Sequence, residues 1–271
     1  MARRFRWIAP PSRPSIHDIA NYHSALRETS PLKKILILGA TPELRIIAGN
    51  FSNNVTVADF SLGMFKAVSH FVPYDIQSKE EKIIINWLKL PSQLPNYSYD
   101  AVLGDLVIRQ LPMNLMEEFL KAVYLMLRPG GVFITRTNIL NILWKNKNPQ
   151  KIILDGAEDY YTKQISSAAS TALFRLYDHC TDPETRALNV DLVNEAFKQA
   201  IKEAPTASIK EGVNLLWKDI GKPRASWTQA DKYTLESIAK KYFDIKAKYF
   251  AGDYPDSQFI PMYAFCVRGR I

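Results

Sequence analysis

The sequence predicts an α/β protein built on a doubly wound, mostly parallel sheet of seven strands, with an antiparallel last strand and a helical insertion. Strand and helix patterns alternate five times in roughly a hundred residues, and the layer rules convert this into a mostly parallel sheet with right-handed crossovers. The segment "YDAVLGDLVI" is continuously apolar, as expected of a strand buried on both faces. Two further strand patterns close the chain, and the loop between them is short enough to make them antiparallel.

The strand segments share runs of β-branched and other apolar residues that end in turn signals. In chain order they are "KKILIL", "NVTVADFS", "EKIIINWLKLP", "YDAVLGDLVI", "VFITRT", "FDIKAKYF" and "FIPMYAFCVRG". Helical spacing follows in "PELRIIA", "SLGMFKAVSHFV" and "MNLMEEFLKAVYLMLRPGG". We expect Pro129, Gly130 and Gly131 to end the last of these helices and to turn the chain into the fifth strand.

These patterns divide the chain into four regions. Residues 1–30 form an extension with a short amphipathic cover helix from Ser15 to about Arg27, and residues 31–137 form the core. Residues 138–224 have helical spacing with polar linkers, and we interpret this long insertion as a substrate lid. Residues 225–271 supply the last helix, with Thr228 as its N-cap, and the terminal strand pair that completes the core.

Composition and charge limit the function classes. The formal net charge is +8, but the basic residues are dispersed among acids, so a solvated basic surface is favoured over nucleic-acid binding. No apolar run has the length of a membrane span or a signal peptide. The two cysteines lack metal-ligand or redox spacing. We therefore expect a soluble, cytoplasmic protein with reduced thiols, no membrane partner and no metal.

The turn after the first strand is the most informative stretch. Gly39 ends the strand, and Thr41 is a good N-cap for the next helix. Pro42 suits the first helical position, and Glu43 adds negative charge to the first turn. A pyrophosphate needs bare amides and space here, so the turn disfavours a dinucleotide. A carboxylate suits a ligand with an ammonium group, such as the methionine end of S-adenosylmethionine; alternatively, Glu43 only stabilises its own helix.

Other residues at strand ends point to the same edge of the sheet, where an open parallel sheet binds ligands. Asp59, at the end of the second strand, can accept both hydroxyls of a ribose, in S-adenosylmethionine or NAD alike, or it can cap a loop. Asn86 and Trp87 offer an amide and a ring where an adenine edge would lie. Gly104 and Asp105, at the end of the fourth strand, let the backbone approach a ligand.

The order "LILGATPEL", "VADFS", "NWLKLP", "YDAVLGD" and "LRPGGVFITR" resembles the motif series of class I S-adenosylmethionine-dependent methyltransferases. The form "LGATPEL" is similar to a bacterial subgroup with G-x-T-P-E-L in place of G-x-G-x-G, and the flanks "W...PPSRPS" and "DYPDSQFIPMY" also look like that subgroup. The resemblance spans nearly the whole chain and weakens across residues 138–224. It implies the Rossmann-like methyltransferase fold, S-adenosylmethionine as cofactor and methyl transfer to an acceptor.

Carried over by position, the resemblance implies contacts along the whole cofactor. Asp59 would hold the ribose, and Phe60 would sit against the adenine. The turn at residues 39–41 would lie along the methionine moiety, and residues 104–106 would line the floor beneath the sulfonium. The full predicted cofactor-binding set is Gly39, Ala40, Thr41, Glu43, Asp59, Phe60, Ser61, Met64, Asn86, Trp87, Gly104, Asp105 and Leu106.

Two positions depart from the resemblance. Ile37 stands where many relatives carry an acid within the first strand, and Asn86 stands where an acid is common. The first departure removes an acceptor for the ammonium group of the ligand from its usual place. We hypothesise that Glu43 supplies this acceptor instead.

Several residues outside the cofactor set are candidates for the acceptor side or the lid. Arg13 can clamp a carboxylate of the cofactor or a substrate through a bidentate pair, or it can pair at the surface. Tyr22 and His23, on the cover helix, are the candidates to reach the pocket. The aromatic residues in or beside the insertion can form either a core or an aromatic lid. They are Trp144, Tyr160, Tyr161, Phe174, Tyr177, Trp217 and Trp227.

The leading prediction is an S-adenosylmethionine-dependent methyltransferase that acts on a small-molecule acceptor by in-line methyl transfer. No Ser-His-Asp or Cys-His spacing is present, so the sequence indicates no catalytic base. It does not indicate an oligomeric state either. One alternative is a catalytically inactive ligand-binding or scaffold protein, which the altered first turn suggests. The other is an RNA methyltransferase. NAD-linked redox chemistry is disfavoured by the helix start.

Overall fold

A computed structural model describes residues 8–29, 31–219 and 227–268. These residues contain the strands β1 (Ile35–Leu38), β2 (Val55–Asp59), β3 (Glu80–Ile84), β4 (Tyr99–Asp105), β5 (Leu127–Arg136), β6 (Phe243–Tyr249) and β7 (Met262–Val267). The strands form one sheet in the order β3-β2-β1-β4-β5-β7-β6. Strands β1 to β5 are parallel, and β7 is antiparallel to both β5 and β6. The predicted seven-stranded, doubly wound fold with an antiparallel last strand is confirmed.

The helices begin with α1 (Ile16–Arg27), α2 (Pro42–Phe51), α3 (Leu62–Val68), α4 (Tyr74–Gln77), α5 (Leu90–Gln93) and α6 (Met116–Met126). They continue with α7 (Pro149–Tyr161), α8 (Ala168–Cys180), α9 (Val190–Glu203), α10 (Ala207–Asp219) and α11 (Lys232–Ala239). Among these described helices, none combines the length and the apolar character needed to cross a membrane.

Both faces of the sheet are covered, which is why the central strands are apolar throughout. On one face, α1 and α2 pack against a cluster that includes Ile37 of β1. On the other face, α6 and α11 pack around Phe133 of β5. Helices α7 to α10 add a further apolar cluster of their own, in which Ala157 and Val213 are fully buried. The sheet and its two helical layers therefore leave the strand ends as the place for a site.

The predicted boundaries at residues 30, 137 and 224 and the lid role of the insertion remain predictions. Residues 1–7, 30, 220–226 and 269–271, which include Trp7 of the quoted flank and the end of the predicted insertion, lie outside the described residues. Within the insertion, the ring of Trp217 lies 4.7 Å from the ring of Phe197, inside the apolar cluster of α7 to α10. Trp217 therefore packs the insertion itself.

Local capping signals fix the start of α1. Ser15 accepts a hydrogen bond from the backbone N–H of Asp18 at 3.0 Å, and the Ser15 N–H donates to the Asp18 carboxylate at 2.9 Å. This reciprocal pair satisfies two of the N–H groups that a helix start leaves without partners. The predicted cover helix from Ser15 to about Arg27 is confirmed.

Two predicted boundaries were wrong. Helix α6 ends at Met126, and Leu127 already pairs with Tyr99 of β4, so the Pro-Gly-Gly segment lies within β5 and does not end the helix. Thr228 does not cap α11, because its hydroxyl donates to the Arg186 carbonyl at 2.9 Å. Asp231 is the N-cap. In both cases a partner distant in sequence competes with the local signal.

A buried guanidinium, that of Arg136 at the end of β5, joins the segments around the edge of the sheet at which the parallel strands end, which we call the carboxyl edge. Its Nε and one terminal nitrogen donate to Asp105 of β4 at 2.6 and 3.0 Å, and the other donates to Asp18 of α1 at 2.6 Å. It also donates to the Pro11 carbonyl at 3.1 Å and to the Tyr254 hydroxyl at 3.3 Å. Burial lowers the pKa of Arg136, but the two carboxylates more than offset this and raise that pKa well above its ordinary value.

We predict that Arg136→Met lowers the free energy of unfolding by about 3–5 kcal/mol, because it leaves Asp18 and Asp105 buried without their counter-charge. Denaturant unfolding followed by circular dichroism measures this. The control is Arg268→Gln, because Arg268 pairs with Asp244 at 2.8 Å where both side chains are more than half exposed. The control should lose less than about 1 kcal/mol. Equal losses in the two variants would contradict the role of Arg136.

Candidate functional site

The carboxyl ends of β2, β1 and β4 lie side by side near the middle of the sheet. Leu38, the last residue of β1, is in register with Ala58 of β2 on one side and with Gly104 of β4 on the other. Gly39 and Asp59 follow these residues directly. Register therefore brings the predicted residues of these three strand ends together at one edge of the sheet.

The Gly39 turn and the Asp59 carboxylate support each other. Gly39 has a φ of +85°, in the left-handed region that favours glycine, and its N–H donates to the Ala58 carbonyl at 2.8 Å. The N–H of Ala40 donates to one oxygen of Asp59 at 3.0 Å, and the N–H of Ser61 donates to the other at 2.8 Å. These bonds fix the buried carboxylate beside the turn.

Glu43, in the first turn of α2, is 8% exposed and forms an ion pair with Arg13. Arg13 Nε donates to Glu43 Oε1 at 2.8 Å. The second oxygen, Oε2, is buried and has no hydrogen-bond partner within the described parts of the chain. Thr41 occupies the N-cap position, but its side chain makes no capping bond. Arg13 thus pairs with a carboxylate of the chain itself, and that carboxylate keeps one oxygen unsatisfied.

The residues predicted near an adenine differ in exposure. Phe60 is 48% exposed, and its ring lies 6.1 Å from the ring of Trp87. Trp87 is buried, and its indole N–H donates to the Ala58 carbonyl at 2.9 Å. Asn86 is exposed, and its side-chain oxygen accepts from the Leu88 N–H at 3.0 Å. Trp87 therefore contributes a buried ring to this edge of the sheet, and its one side-chain hydrogen-bond donor is already used.

Ser61 and Met64, at the start of α3, have mainly local contacts. The Ser61 hydroxyl caps the helix by accepting from the Met64 N–H at 3.2 Å. Met64 is half-buried and packs against the cluster of α1, α2 and β1. Both residues lie next to Asp59 in the chain, and their predicted contact with a cofactor stays a prediction.

Tyr22 of α1 covers the end of β4. Its hydroxyl donates to the Gly104 carbonyl at 2.6 Å and accepts from the Arg136 N–H at 3.1 Å. Burial raises the pKa of Tyr22 well above its ordinary value, so the hydroxyl stays neutral. Leu106, two residues beyond Gly104, has a φ of +54°, which is uncommon for a residue with a side chain. The structure thus brings the predicted Tyr22 to the edge.

His23 lies away from the Gly39 turn, so the structure does not bring it together with the other predicted site residues. Its ring is 5.5 Å from the ring of Phe51, at the C-terminal end of α2. The Gly39 turn lies at the other end of this helix, and ten residues of helix span about 15 Å.

The described residues contain no group of three or more histidine, cysteine or acidic side chains that could hold a metal ion.

Arg109 is the polar residue that sequence reasoning missed. It lies just beyond β4 and is 6% exposed, with its guanidinium carbon 4.4 Å from the ring of Phe174, 5.0 Å from Trp227 and 5.5 Å from Tyr177. No described residue accepts a hydrogen bond from its side chain, and Nε is buried. Stacking on a ring contributes about 2 kcal/mol when desolvated, whereas burying an ion costs several kcal/mol. Three rings can offset much of that cost, but a ring does not replace the oxygen acceptors of the guanidinium N–H groups, and Asp178, the acid coupled to Arg109 by charge, makes no hydrogen bond with it.

A small cavity of about 10 Å³ lies between α8, the segment after β5 and the segment before β7. Its volume is near the minimum for one water molecule. The ion pair of Arg175 with Asp256 lines it, and so does Phe174, whose ring stacks on Arg109.

Thr171 and Asp178 also line the cavity, and the Thr171 hydroxyl is buried without a partner. The Asn138 amide donates to Asp178 at 3.4 Å and to Gln229, whose own amide nitrogen is also buried without a partner. Of the buried atoms without partners in the described chain, Thr171 Oγ1 therefore lies at the cavity, Gln229 Nε2 belongs to a side chain bonded to its lining, and Arg109 Nε belongs to a side chain stacked on Phe174.

The signal for this cluster was only partly visible in the sequence. Phe174, Tyr177 and Trp227 were predicted as members of a core or a lid, and the structure places their rings around Arg109. The polar members of the cluster come from separate regions of the chain, without a shared spacing.

Solved structures with the same fold include several methyltransferases and one protein described as a candidate Zn-dependent alcohol dehydrogenase. The latter, from Rhodobacter sphaeroides, is 14% identical, with 98% of each chain covered and a TM-score of 0.59. The N-methyltransferase NodS from Bradyrhizobium japonicum, in complex with S-adenosyl-L-homocysteine, is 9% identical, with 94% of this chain and 89% of that chain covered and a TM-score of 0.51.

A third structure is the 1,6-didemethyltoxoflavin-N1-methyltransferase from Burkholderia thailandensis, with 1,6-didemethyltoxoflavin and S-adenosylhomocysteine bound. It is 10% identical, with 93% of this chain and 76% of that chain covered and a TM-score of 0.50. No protein-family model matches the chain, and no curated protein matches its sequence. At such identities these likenesses establish the Rossmann-like methyltransferase fold, while the predicted G-x-T-P-E-L subgroup stays a prediction.

We predict that Asp178 makes the protein less stable as the pH rises. Burial raises the pKa of Asp178 to about 8, whereas an unfolded aspartate ionises near pH 4. Between these values the folded state holds one more proton than the unfolded state, so the free energy of unfolding falls as pH increases. From pH 5 to 8 it should fall by roughly 1–4 kcal/mol more in wild type than in Asp178→Asn. Parallel pH profiles of denaturant unfolding would contradict this.

Proposed function

We propose that the chain is an S-adenosylmethionine-dependent methyltransferase that acts on a small-molecule acceptor. The observation that carries the proposal is the pair of buried carboxylates at the Gly39 turn. Asp59 is fixed by two backbone N–H groups, and Glu43 keeps one buried oxygen without a partner among the described residues. A ribose and an ammonium group are the ligand groups that two such carboxylates suit.

The residues at this edge fit the cofactor in chemistry and in order along the chain. Glu43 would accept from the ammonium group, and the positive charge of Arg13 beside it would attract the carboxylate of the same amino-acid tail. Asp59 would hold the ribose. Phe60 offers an exposed ring for the adenine, with Trp87 as the wall behind it. Ala40, Thr41, Ser61, Met64 and Asn86, with residues 104–106, complete the proposed contact set.

When bound, S-adenosylmethionine supplies an electrophilic methyl group on a sulfonium. The chain would then contribute alignment and the exclusion of water. Tyr22, as a neutral hydroxyl, holds the carbonyl of Gly104 and closes the edge from the side of α1. The helical insertion would close the opposite side as a lid. Such a transfer requires no fixed base unless the acceptor must lose a proton.

We predict that Glu43→Gln weakens the binding of S-adenosylhomocysteine by about 10- to 100-fold, because a neutral amide oxygen replaces the charged acceptor of the ammonium group. Binding of 5′-methylthioadenosine, which lacks the amino-acid tail, should not change. Isothermal titration calorimetry measures both affinities. The control variant is Glu118→Gln, because Glu118 is an exposed acid that also lies in the first turn of a helix, α6. It should leave both affinities unchanged.

The outcomes separate the candidate functions. Unchanged S-adenosylhomocysteine affinity in Glu43→Gln, with abolished affinity in Asp59→Ala, would reject Glu43 as the ammonium acceptor. Failure of wild type to bind either S-adenosylmethionine or S-adenosylhomocysteine would reject the proposed function. A screen with radiolabelled methyl groups then tests turnover: tight binding without any transfer supports the scaffold alternative, and label in RNA, with affinity that falls steeply with salt, supports an RNA methyltransferase.

A further inference from the structure

We propose that Arg109, with the polar side chains around it, binds a carboxylate group of the methyl acceptor, so that the substrate is a carboxylic acid with a flat, apolar body. The identification of this ligand as the methyl acceptor rests on the proposed function. The anion site itself does not.

Arg109 differs from a second arginine of the same region in one respect. Arg175 of α8 also stacks on a ring, 4.4 Å from Trp144, but it donates to the carboxylate of Asp256 at 2.6 Å. Arg109 is more deeply buried and stacks on three rings, and although Asp178 is near enough to interact with its charge, no carboxylate of the described chain accepts a hydrogen bond from it. A guanidinium presents five N–H donors in a plane that matches a carboxylate. The missing partner of Arg109 is therefore an anionic group with two oxygens.

Further donors lie at the cavity beyond Phe174. Thr171 lines it with a buried hydroxyl, and Gln229, which is bonded to Asn138 of the lining, has a buried amide nitrogen; neither atom has a partner in the described chain. Asp178 lines the same cavity without a hydrogen bond to Arg109, and burial raises the pKa of Asp178 to about 8, so it is a weak competitor for the guanidinium. Such a set favours a ligand rich in acceptor oxygens and disfavours a cation. The rings of Phe174 and Trp227 would flank the apolar body of the ligand.

The cluster lies next to the proposed cofactor edge. Phe174 stacks on Arg109, lines the small cavity and packs in one apolar cluster with Leu106, a predicted floor residue. One side chain thus connects the anion site to the place proposed for the sulfonium. The cavity of about 10 Å³ is too small for a ring compound, so entry requires Phe174 or α8 to move.

Benzoate is the probe, and benzamide is its neutral counterpart of the same shape. We expect wild type to bind benzoate with a Kd on the order of 1 mM, as a small fragment permits, and to bind benzamide at least about tenfold more weakly. Tryptophan fluorescence measures both, because Trp227 lies 5.0 Å from the guanidinium carbon. Trp227→Phe should lose the larger part of the signal. Equal affinities for the two probes, or no saturable benzoate binding, would overturn the proposal.

Two variants test the arginine itself. Arg109→Met should weaken benzoate binding by about tenfold or more, and it should not lower the melting temperature, because the wild-type cation has no hydrogen-bonded partner. Arg175 lines the cavity itself, so the control is Arg268→Met, which removes an exposed arginine paired with Asp244 and should change benzoate affinity by less than about threefold. If Arg109→Met leaves benzoate affinity unchanged, or if Arg268→Met weakens it equally, the proposal is rejected.

Titration with S-adenosylhomocysteine separates this proposal from the proposed function. Binding of S-adenosylhomocysteine without benzoate binding rejects the carboxylate site and leaves the methyltransferase proposal standing. Benzoate binding without S-adenosylhomocysteine binding supports the carboxylate site and rejects the methyltransferase proposal. The comparison of benzoate with benzamide uses the wild-type chain, so it decides the question even if Arg109→Met fails to fold.

Discussion

The charge of one buried side chain, Arg136, constrains the whole carboxyl edge of the sheet. An ion without its partners is costly in a protein interior, so Arg136 must keep both Asp105 of β4 and Asp18 of α1. Because Asp18 also completes the capping box of α1, the same contact positions the first turn of that helix over the edge. Tyr22, one turn further along α1, is then held against Gly104.

The three acidic side chains at this edge differ in their hydrogen-bond and charge partners. Asp105 is neutralised by a buried arginine, Asp59 is held by two backbone N–H groups, and Glu43 is paired through only one of its oxygens. The one acidic oxygen at this edge without a hydrogen-bond partner in the described chain, Glu43 Oε2, thus lies beside β1. The buried Arg109 Nε, also without such a partner, follows β4 in the chain. The proposed cofactor contacts and the proposed anion site therefore lie on different segments.

Much of this arrangement is encoded locally, and the sequence by itself determined it. The alternation of strands and helices, the glycine turn at Gly39 and the acid at the end of β2 follow from residues close together in the chain. Ser15 and Asp18, three residues apart, fix the start of α1. Parallel register then places these strand ends side by side, because a doubly wound sheet aligns all its carboxyl ends at one edge. The fold, and which residues meet at this edge of the sheet, were predictable on this basis.

Only the tertiary structure decided the surroundings of Arg109 and the exceptions. Asn138 and Gln229 are 91 positions apart, and no local spacing indicates that their side chains meet. The same holds for Trp87, whose N–H is used by a neighbouring strand, and for Thr228, which pairs across the insertion instead of capping a helix. Local signals state what a residue can do, but packing decides which distant partner satisfies a buried polar group. The physical reason is that desolvation makes such a partner necessary, and only the folded chain brings it within reach.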